Sequence, residues 1–150
     1  RSVELLRQYF DDPGVTTDLI VGFPGETEQD HQESLAFVEK CGFSALHIFP
    51  YSRRPGTPAD KLLGQVPNAE KKRRAAQAAQ VAESLRLAYW RRQVGKVFPV
   101  LFEEEKDSLW QGHAPNYVAV RAEGQNLHNQ VRQVRITGPG EESLLGEIIE

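Results

Sequence analysis

One amphipathic helix pattern joins two β-branched, strand-like runs early in this chain, and that arrangement limits its fold more than any other feature. The runs are TTDLIVG (residues 16–22) and FSALHIFPY (43–51), with ETEQDHQESLAFVEKCG (26–42) between them. The middle segment reads as a helix: Thr27 caps it, acids crowd its first turn, and Leu35 and Val38, with Phe37 beside them, form its buried side. Lys40 and Gly42 mark its end. Strand, helix, strand at this spacing is a βαβ unit with parallel strands. Parallel sheets need cover on both faces, and two strands with one helix do not supply it. The piece reads as part of a larger α/β layer.

Alternation along each strand sorts its side chains into two faces. Leu19 and Val21 share one face, and Asp18, Ile20 and Gly22 the other; Leu46 and Ile48 oppose Ala45, His47 and Phe49. The purely apolar faces should pack on helices. The mixed faces, with Asp18 and His47, should point into a barrel interior or a cleft. Ligands in α/β proteins sit at the carboxyl ends of parallel strands. Here those ends run into GFPGE and FPYSRRPGT, both rich in glycine, proline and polar residues.

The remainder divides by texture. SVELLRQYF puts Val3, Leu6 and Phe10 at helical spacing before DDPG stops it. A loop of prolines and glycines precedes the longest helical pattern, residues 69–95, with Ala75, Ala79, Ala82, Leu85 and Tyr89 on one stripe and Gly95 closing it. After Gly95 come five short strand-like segments separated by turns: KVFPVLFEEE, SLWQGHA, NYVAVRAE, QVRQVRITGP and SLLGEIIE. They predict a small all-β barrel or sandwich. The expected divisions are therefore residues 1–66, a connecting helix at 67–95, and a β domain at 96–150.

Net charge is −3, but its distribution is uneven. Residues 1–66 carry 6 Lys/Arg against 10 Asp/Glu, residues 67–93 carry 7 against 2, and residues 94–150 carry 5 against 9. The basic charge lies in the middle segment, where KKRR (71–74) and the arginines of WRR (90–92) read as a solvated helix face, with Trp90 expected to cover the junction with the β domain. One cysteine, Cys41, rules out a disulfide framework or a cysteine-only metal site within the chain. No apolar run approaches the roughly 20 residues that span a bilayer, and RSVELLRQYF lacks the features of a signal peptide. The expected setting is the cytoplasm, without a membrane partner.

DLIVGFPGET and YSRRPGTPA, spaced by one helix, resemble the radical-SAM core of the methylthiotransferases, and the β region resembles their appended TRAM domain. The resemblance covers the whole chain and implies about the last third of a family protein, so the expected partner is the missing N-terminal part of its own protein. It implies an α/β piece, the βαβ of a partial radical-SAM barrel, followed by a long helix and a small all-β TRAM barrel. It also implies a reaction. A 4Fe-4S cluster cleaves S-adenosylmethionine to a radical that abstracts hydrogen from an adenine ring, a second cluster supports sulfur insertion, and a second S-adenosylmethionine gives the methyl group. The cluster ligands lie outside this chain, which carries no CxxxCxxC, so no catalytic or metal-ligating residue is expected here and the fragment alone should be inactive. Ile20, Gly22, Phe23 and Glu26 on the first strand end, and Phe49, Tyr51 and Arg54 on the second, are the implied S-adenosylmethionine-binding residues. Against the wider GxIxGxxE pattern, Asp18 replaces the first glycine and Glu26 falls one residue late.

Among the family's three substrates, HIFPYSRRPGTPA is most similar to the enzymes acting on threonylcarbamoyl-adenosine in tRNA, which makes a tRNA anticodon stem-loop the expected partner. RNA recognition needs positive charge for phosphates and planar groups for unstacked bases. In the β domain the candidates are His113, Tyr117, Arg121, Arg132 and Arg135. Two other readings stand beside this one: a non-catalytic RNA-binding module, and a methylthiotransferase acting on a ribosomal protein.

Overall fold

The computed structural model describes residues 1–149. The chain divides into two compact units, Arg1–Arg86 and Leu87–Glu150, with the division inside a helix of 26 residues.

The first unit begins with α1 (Ser2–Tyr9), whose Leu5, Leu6 and Tyr9 are exposed, as is Phe10 just after it. Strand β1 (Thr16–Val21), helix α2 (Glu28–Cys41) and strand β2 (Ala45–Pro50) then form the βαβ unit. The strands are parallel neighbours, with Asp18 opposite His47 and Ile20 opposite Phe49. Thr27 caps α2 in a reciprocal capping box: its hydroxyl accepts from the Asp30 backbone, and the Asp30 carboxylate accepts from the Thr27 backbone at 2.8 Å. Gly42 ends the helix in the left-handed region, φ +61°. The buried side of α2 is His31, Leu35 and Val38; Phe37 is 62% exposed and is not part of it. The i, i+4, i+7 row through His31, Leu35 and Val38 faces the sheet, and Phe37 falls well around the helix from that row.

The two strand faces differ as the alternation predicts. Leu19, Val21 and Ile48 pack with Leu35 of α2 and with Ala75, Ala78 and Val81 of the third helix, α3 (Asn68–Gln93). Asp18, Ile20, His47 and Phe49 remain exposed on the opposite face. A single-turn helix, Pro58–Lys61, interrupts the loop between β2 and α3.

The stripe expected on α3 is corrected in one respect. Ala79 is exposed, and Ala78, at 0%, is the residue against the sheet. Lys71 and Arg74 lie on the same side and are buried, at 8% and 5%, so the KKRR run is not a uniformly solvated face. Four consecutive residues point around most of a helix, and two of these four point inward.

In the second unit the five strand-like segments form β3 (Val97–Lys106), β4 (Leu109–His113), β5 (Ala119–Ala122), β6 (Gln130–Pro139) and β7 (Leu144–Ile148). They close into a barrel in the order β3-β4-β5-β7-β6, with β5 and β7 parallel and the other pairs antiparallel. Closure leaves no free sheet edge. Alternate residues fill the interior: Val100 and Phe102, Trp110, Val120 and Ala122, Val134 and Ile136, and Leu144, joined by Tyr89 and Trp90 from the end of α3. Ladder irregularities at Phe102/Glu104 and Ile136/Gly138 supply the local bends that so small a barrel needs.

Candidate ligand site at the strand ends

The loop after β1 is a tight turn. Pro24 stands at its second position, Gly25 at its third with φ +87°, and the Glu26 amide donates to the Phe23 carbonyl at 2.9 Å. A positive φ at the third position is a type II turn and favours glycine there. The Gly25 amide donates to the Gly64 carbonyl at 2.9 Å, which ties the turn to the segment entering α3. After β2, the Tyr51 amide donates to the Val21 carbonyl at 2.8 Å, so the parallel ladder continues one step beyond the strands.

Beside these ends, on the uncovered sheet face, lies a cavity of about 490 Å³. Of the residues expected from the sequence, it brings together Ile20, Phe49, Tyr51 and Arg54, with Asp18 at the sheet end of the lining. Sequence reasoning missed Ser52 and Thr57, which add hydroxyls, and Ala59, carried in by the single-turn helix. The Thr57 hydroxyl donates to the Arg54 carbonyl at 2.8 Å and fixes the bend, while the Arg54 guanidinium is exposed and has no partner among the described residues. The cavity thus offers an apolar wall, an aromatic ring, two hydroxyls and a free guanidinium.

The other three expected residues lie outside that lining. Phe23 packs edge-on against Tyr51, ring centres 5.2 Å apart. Gly22, at φ +72°, donates its amide to the Glu26 carboxylate at 2.5 Å. Glu26 in turn faces Arg74, whose Nη1 donates to its carboxylate at 2.6 Å and to its carbonyl at 3.0 Å. The Glu26 side chain is therefore occupied within the protein. Arg74 is held on its other side by Glu70, 3.1 Å from Nε, and Arg73 bridges Glu70 and Glu28. Its run position alone could not reveal Arg74; its i, i+4 relation to Ala78, on the buried row, was the available signal.

Glu70, Glu28 and Asp30 titrate below their ordinary range. The hydrogen bond from Arg73, opposed by partial burial and reinforced by the charges of Arg73 and Arg74, lowers the Glu70 carboxyl from 4.5 to about 2. Hydrogen bonds from Gln32 lower Glu28, and those from Thr27 lower Asp30. A carboxyl lowered by folding stabilises the folded state above its unfolded value and loses that contribution as pH falls through its folded value. The first unit should therefore weaken as pH drops from about 4.5 toward 2, and Glu70→Gln should flatten that dependence. Acid titration followed by far-ultraviolet circular dichroism measures both. A Glu70→Gln curve of unchanged slope would contradict the assignment.

On the barrel, the five residues expected to meet RNA are differently engaged. Tyr117 is 90% exposed, and its backbone has φ +62°. His113 Nδ1 faces the Glu103 carboxylate at 2.6 Å. Arg121 Nη2 donates to the Lys106 carbonyl at 2.5 Å, with Asp107 at 3.4 Å, and so braces the β3–β4 turn. Arg132 donates to the Val131 carbonyl at 3.0 Å and to the Gln130 side chain, whereas Arg135 is exposed with no partner among the described residues.

The first unit is an α/β layer with a cavity beside the carboxyl ends of its parallel strands, carried on one chain with a small closed barrel. No family model matches the sequence. Curated relatives do. The chain is 39% identical to the threonylcarbamoyladenosine tRNA methylthiotransferase MtaB of Thermotoga maritima over 146 residues, 97% of this chain and 33% of the relative. It is 36% identical to the ribosomal protein uS12 methylthiotransferase RimO of a Synechococcus strain over 156 residues, 99% of this chain and 33% of the relative. It is also 36% identical to the tRNA-2-methylthio-N(6)-dimethylallyladenosine synthase of Symbiobacterium thermophilum over 154 residues, 100% of this chain and 33% of the relative. The chain belongs to the methylthiotransferase family, and it spans about a third of the length of the curated relatives it matches.

Proposed function

We propose that this chain is the C-terminal part of a radical-SAM tRNA methylthiotransferase of the cytoplasm, which adds a methylthio group to a modified adenosine beside the anticodon. The first unit is then the last parallel strands of the catalytic barrel, and the closed β-barrel is its TRAM domain. The observation that carries this reading is the cavity of about 490 Å³ on the uncovered sheet face, lined by Ile20, Phe49, Tyr51 and Arg54. Its chemistry fits S-adenosylmethionine: Ile20 and Phe49 suit a flat base, Ser52 and Thr57 suit ribose hydroxyls, and the free Arg54 guanidinium suits a carboxylate. Gly22, Phe23 and Glu26 contribute from behind, by shaping the strand end. S-adenosylmethionine, with iron-sulfur clusters, supplies the radical and the methyl group in such an enzyme. This chain's own residues do not fit a cluster, since Cys41 is its one cysteine and no trio of metal-ligating side chains gathers among the described residues.

Relatives that act on tRNA and on a ribosomal protein match at similar identity. Arg54-Pro55, where the ribosomal-protein enzymes tend to carry an acid, favours tRNA. Of the five barrel candidates, exposed Tyr117 and Arg135 are free to meet RNA, whereas His113, Arg121 and Arg132 are already paired within the barrel.

The test uses the full-length protein. Ile20→Arg, which puts a cation into the apolar wall, should abolish S-adenosylmethionine binding measured by calorimetry, and Arg54→Ala should weaken it about tenfold. Wild-type affinity in Ile20→Arg overturns the cavity assignment. Mass spectrometry of nucleosides from treated tRNA should show a methylthio-adenosine; a mass increase on ribosomal protein instead moves the substrate to the rival class.

A further inference from the structure

Two basic side chains one turn apart on α3, Lys71 and Arg74, reach the two strand ends separately. Arg74 holds the first through Glu26. Lys71 holds the second: its Nζ donates to the Tyr51 carbonyl at 3.0 Å and stands 5.2 Å from the centre of the Tyr51 ring. Its stem also spans back to the first strand. A Cβ built on Gly22 would lie 2.4 Å from Lys71 Cγ, so the lysine methylenes occupy the space that glycine leaves open. Lys71 is 92% buried, with a relative exposure of 8%. Burial of a lysine with its ammonium hydrogen-bonded to one carbonyl is a costly arrangement, and a methionine or leucine would fill the same space without that cost.

What the ammonium adds is direction. Tyr51 lines the ligand cavity, and its carbonyl and ring are the two groups the ammonium faces. The Tyr51 hydroxyl is buried with no hydrogen-bond partner among the described residues, and Lys71 and Phe23 both contact its ring. Beyond Tyr51 the chain runs through Ser52 to Arg54 and Thr57, the polar part of the lining. We propose that Lys71 is a positioning residue for the S-adenosylmethionine cavity, holding the Tyr51–Thr57 segment in its binding geometry without touching the ligand. The inference rests on the cavity assignment above.

The experiment compares Lys71→Met, Lys72→Met and Ile20→Arg in the full-length protein. Methionine keeps the methylenes over Gly22 and removes the ammonium; Lys72 is exposed and provides the matched control. Lys71→Met should raise the S-adenosylmethionine Kd about tenfold, the change expected if the Tyr51–Thr57 segment holds its binding geometry only about a tenth of the time without the ammonium. It should raise KM for S-adenosylmethionine more than it lowers kcat, leave Tm within a few degrees of wild type, and speed amide exchange across residues 51–57. Lys72→Met should change none of these. Normal affinity and exchange in a folded Lys71→Met overturn the proposal. If methionine prevents folding, Lys71→Gln carries the same expectation, and wild-type affinity there is equally decisive against it. The two failures separate cleanly: loss of binding in Ile20→Arg with none in Lys71→Met sinks only the lysine's role, whereas binding intact in Ile20→Arg sinks the cavity assignment.

Discussion

Arg74→Met is expected to destabilise the first unit by about 3 kcal/mol, because it leaves the Glu26 carboxylate enclosed without its cation. The geometry gives the reason. Glu26 and Arg74 side chains are 12% and 6% exposed and meet at 2.6 Å, and the same carboxylate accepts the Gly22 amide. Water cannot replace the guanidinium at so enclosed a position, and the Glu26 carbonyl loses its donor as well. Glu26→Gln/Arg74→Met should recover part of the loss, since a neutral amide can still accept from Gly22 while no charge is stranded. Amide exchange of β1, β2 and α2 under native conditions measures the change. Arg74→Met within about 0.5 kcal/mol of wild type would mean that the pair is solvated and that the turn holds without it.

Phe102→Ala is the second large effect, about 3–5 kcal/mol from the barrel. Phe102 is fully buried in the barrel core with Val100, Trp110, Val134 and Ile136. Its strand pairs on both sides, with β4 and β6, and bends just beyond it, so the walls cannot collapse into the space left by the ring. A unit of this length holds roughly 3–10 kcal/mol in all, so the substitution should remove a large share of the barrel's stability. The probe is built in: the chain's two tryptophans, Trp90 and Trp110, both lie in this core, and their fluorescence follows the barrel's transition in urea. Phe102→Leu should cost less than about 1.5 kcal/mol, because most of the volume is kept. An unshifted midpoint for Phe102→Ala would place the ring outside the core.

The roles of the two buried cations separate in these tests. Arg74 closes an ion pair whose loss is read as stability. Lys71 faces a carbonyl and a ring that border the cavity, and its loss is read as affinity. Their neighbours in the same run, Lys72 and Arg73, are exposed, and Arg73 belongs to the surface network with Glu70 and Glu28. A single basic motif thus contains three physical situations.

Several elements were legible before any coordinates. The capping box at Thr27, the left-handed end at Gly42, the parallel pair and the sorting of Leu19 and Val21 from Asp18 and Ile20 all follow from local rules of period and terminus. The five strands of the barrel lie, to within one residue, inside the strand-like segments marked off by turns, because each strand's inward residues had to be apolar for the barrel to have a core. Four of the nine residues of the cavity lining, Ile20, Phe49, Tyr51 and Arg54, were also recognisable, since they lie at the strand ends that the βαβ pattern marks out.

The errors share a cause. Phe37 and Ala79 were placed on buried sides by helical spacing, and each falls off the row that tertiary packing selected. The long-range pairings are likewise set by the fold: Glu26 faces Arg74, 48 residues away in sequence, and Lys71 reaches Tyr51 across 20 residues. Sequence by itself determined the order of elements, their termini and which face of each strand is apolar, because those depend on neighbours within a few residues. Only the tertiary structure decided which charges of residues 71–74 go inside, which carboxylate they meet, and which loop atoms line the cavity. A buried charge is tolerable only where a distant partner happens to meet it, and no local pattern encodes that meeting.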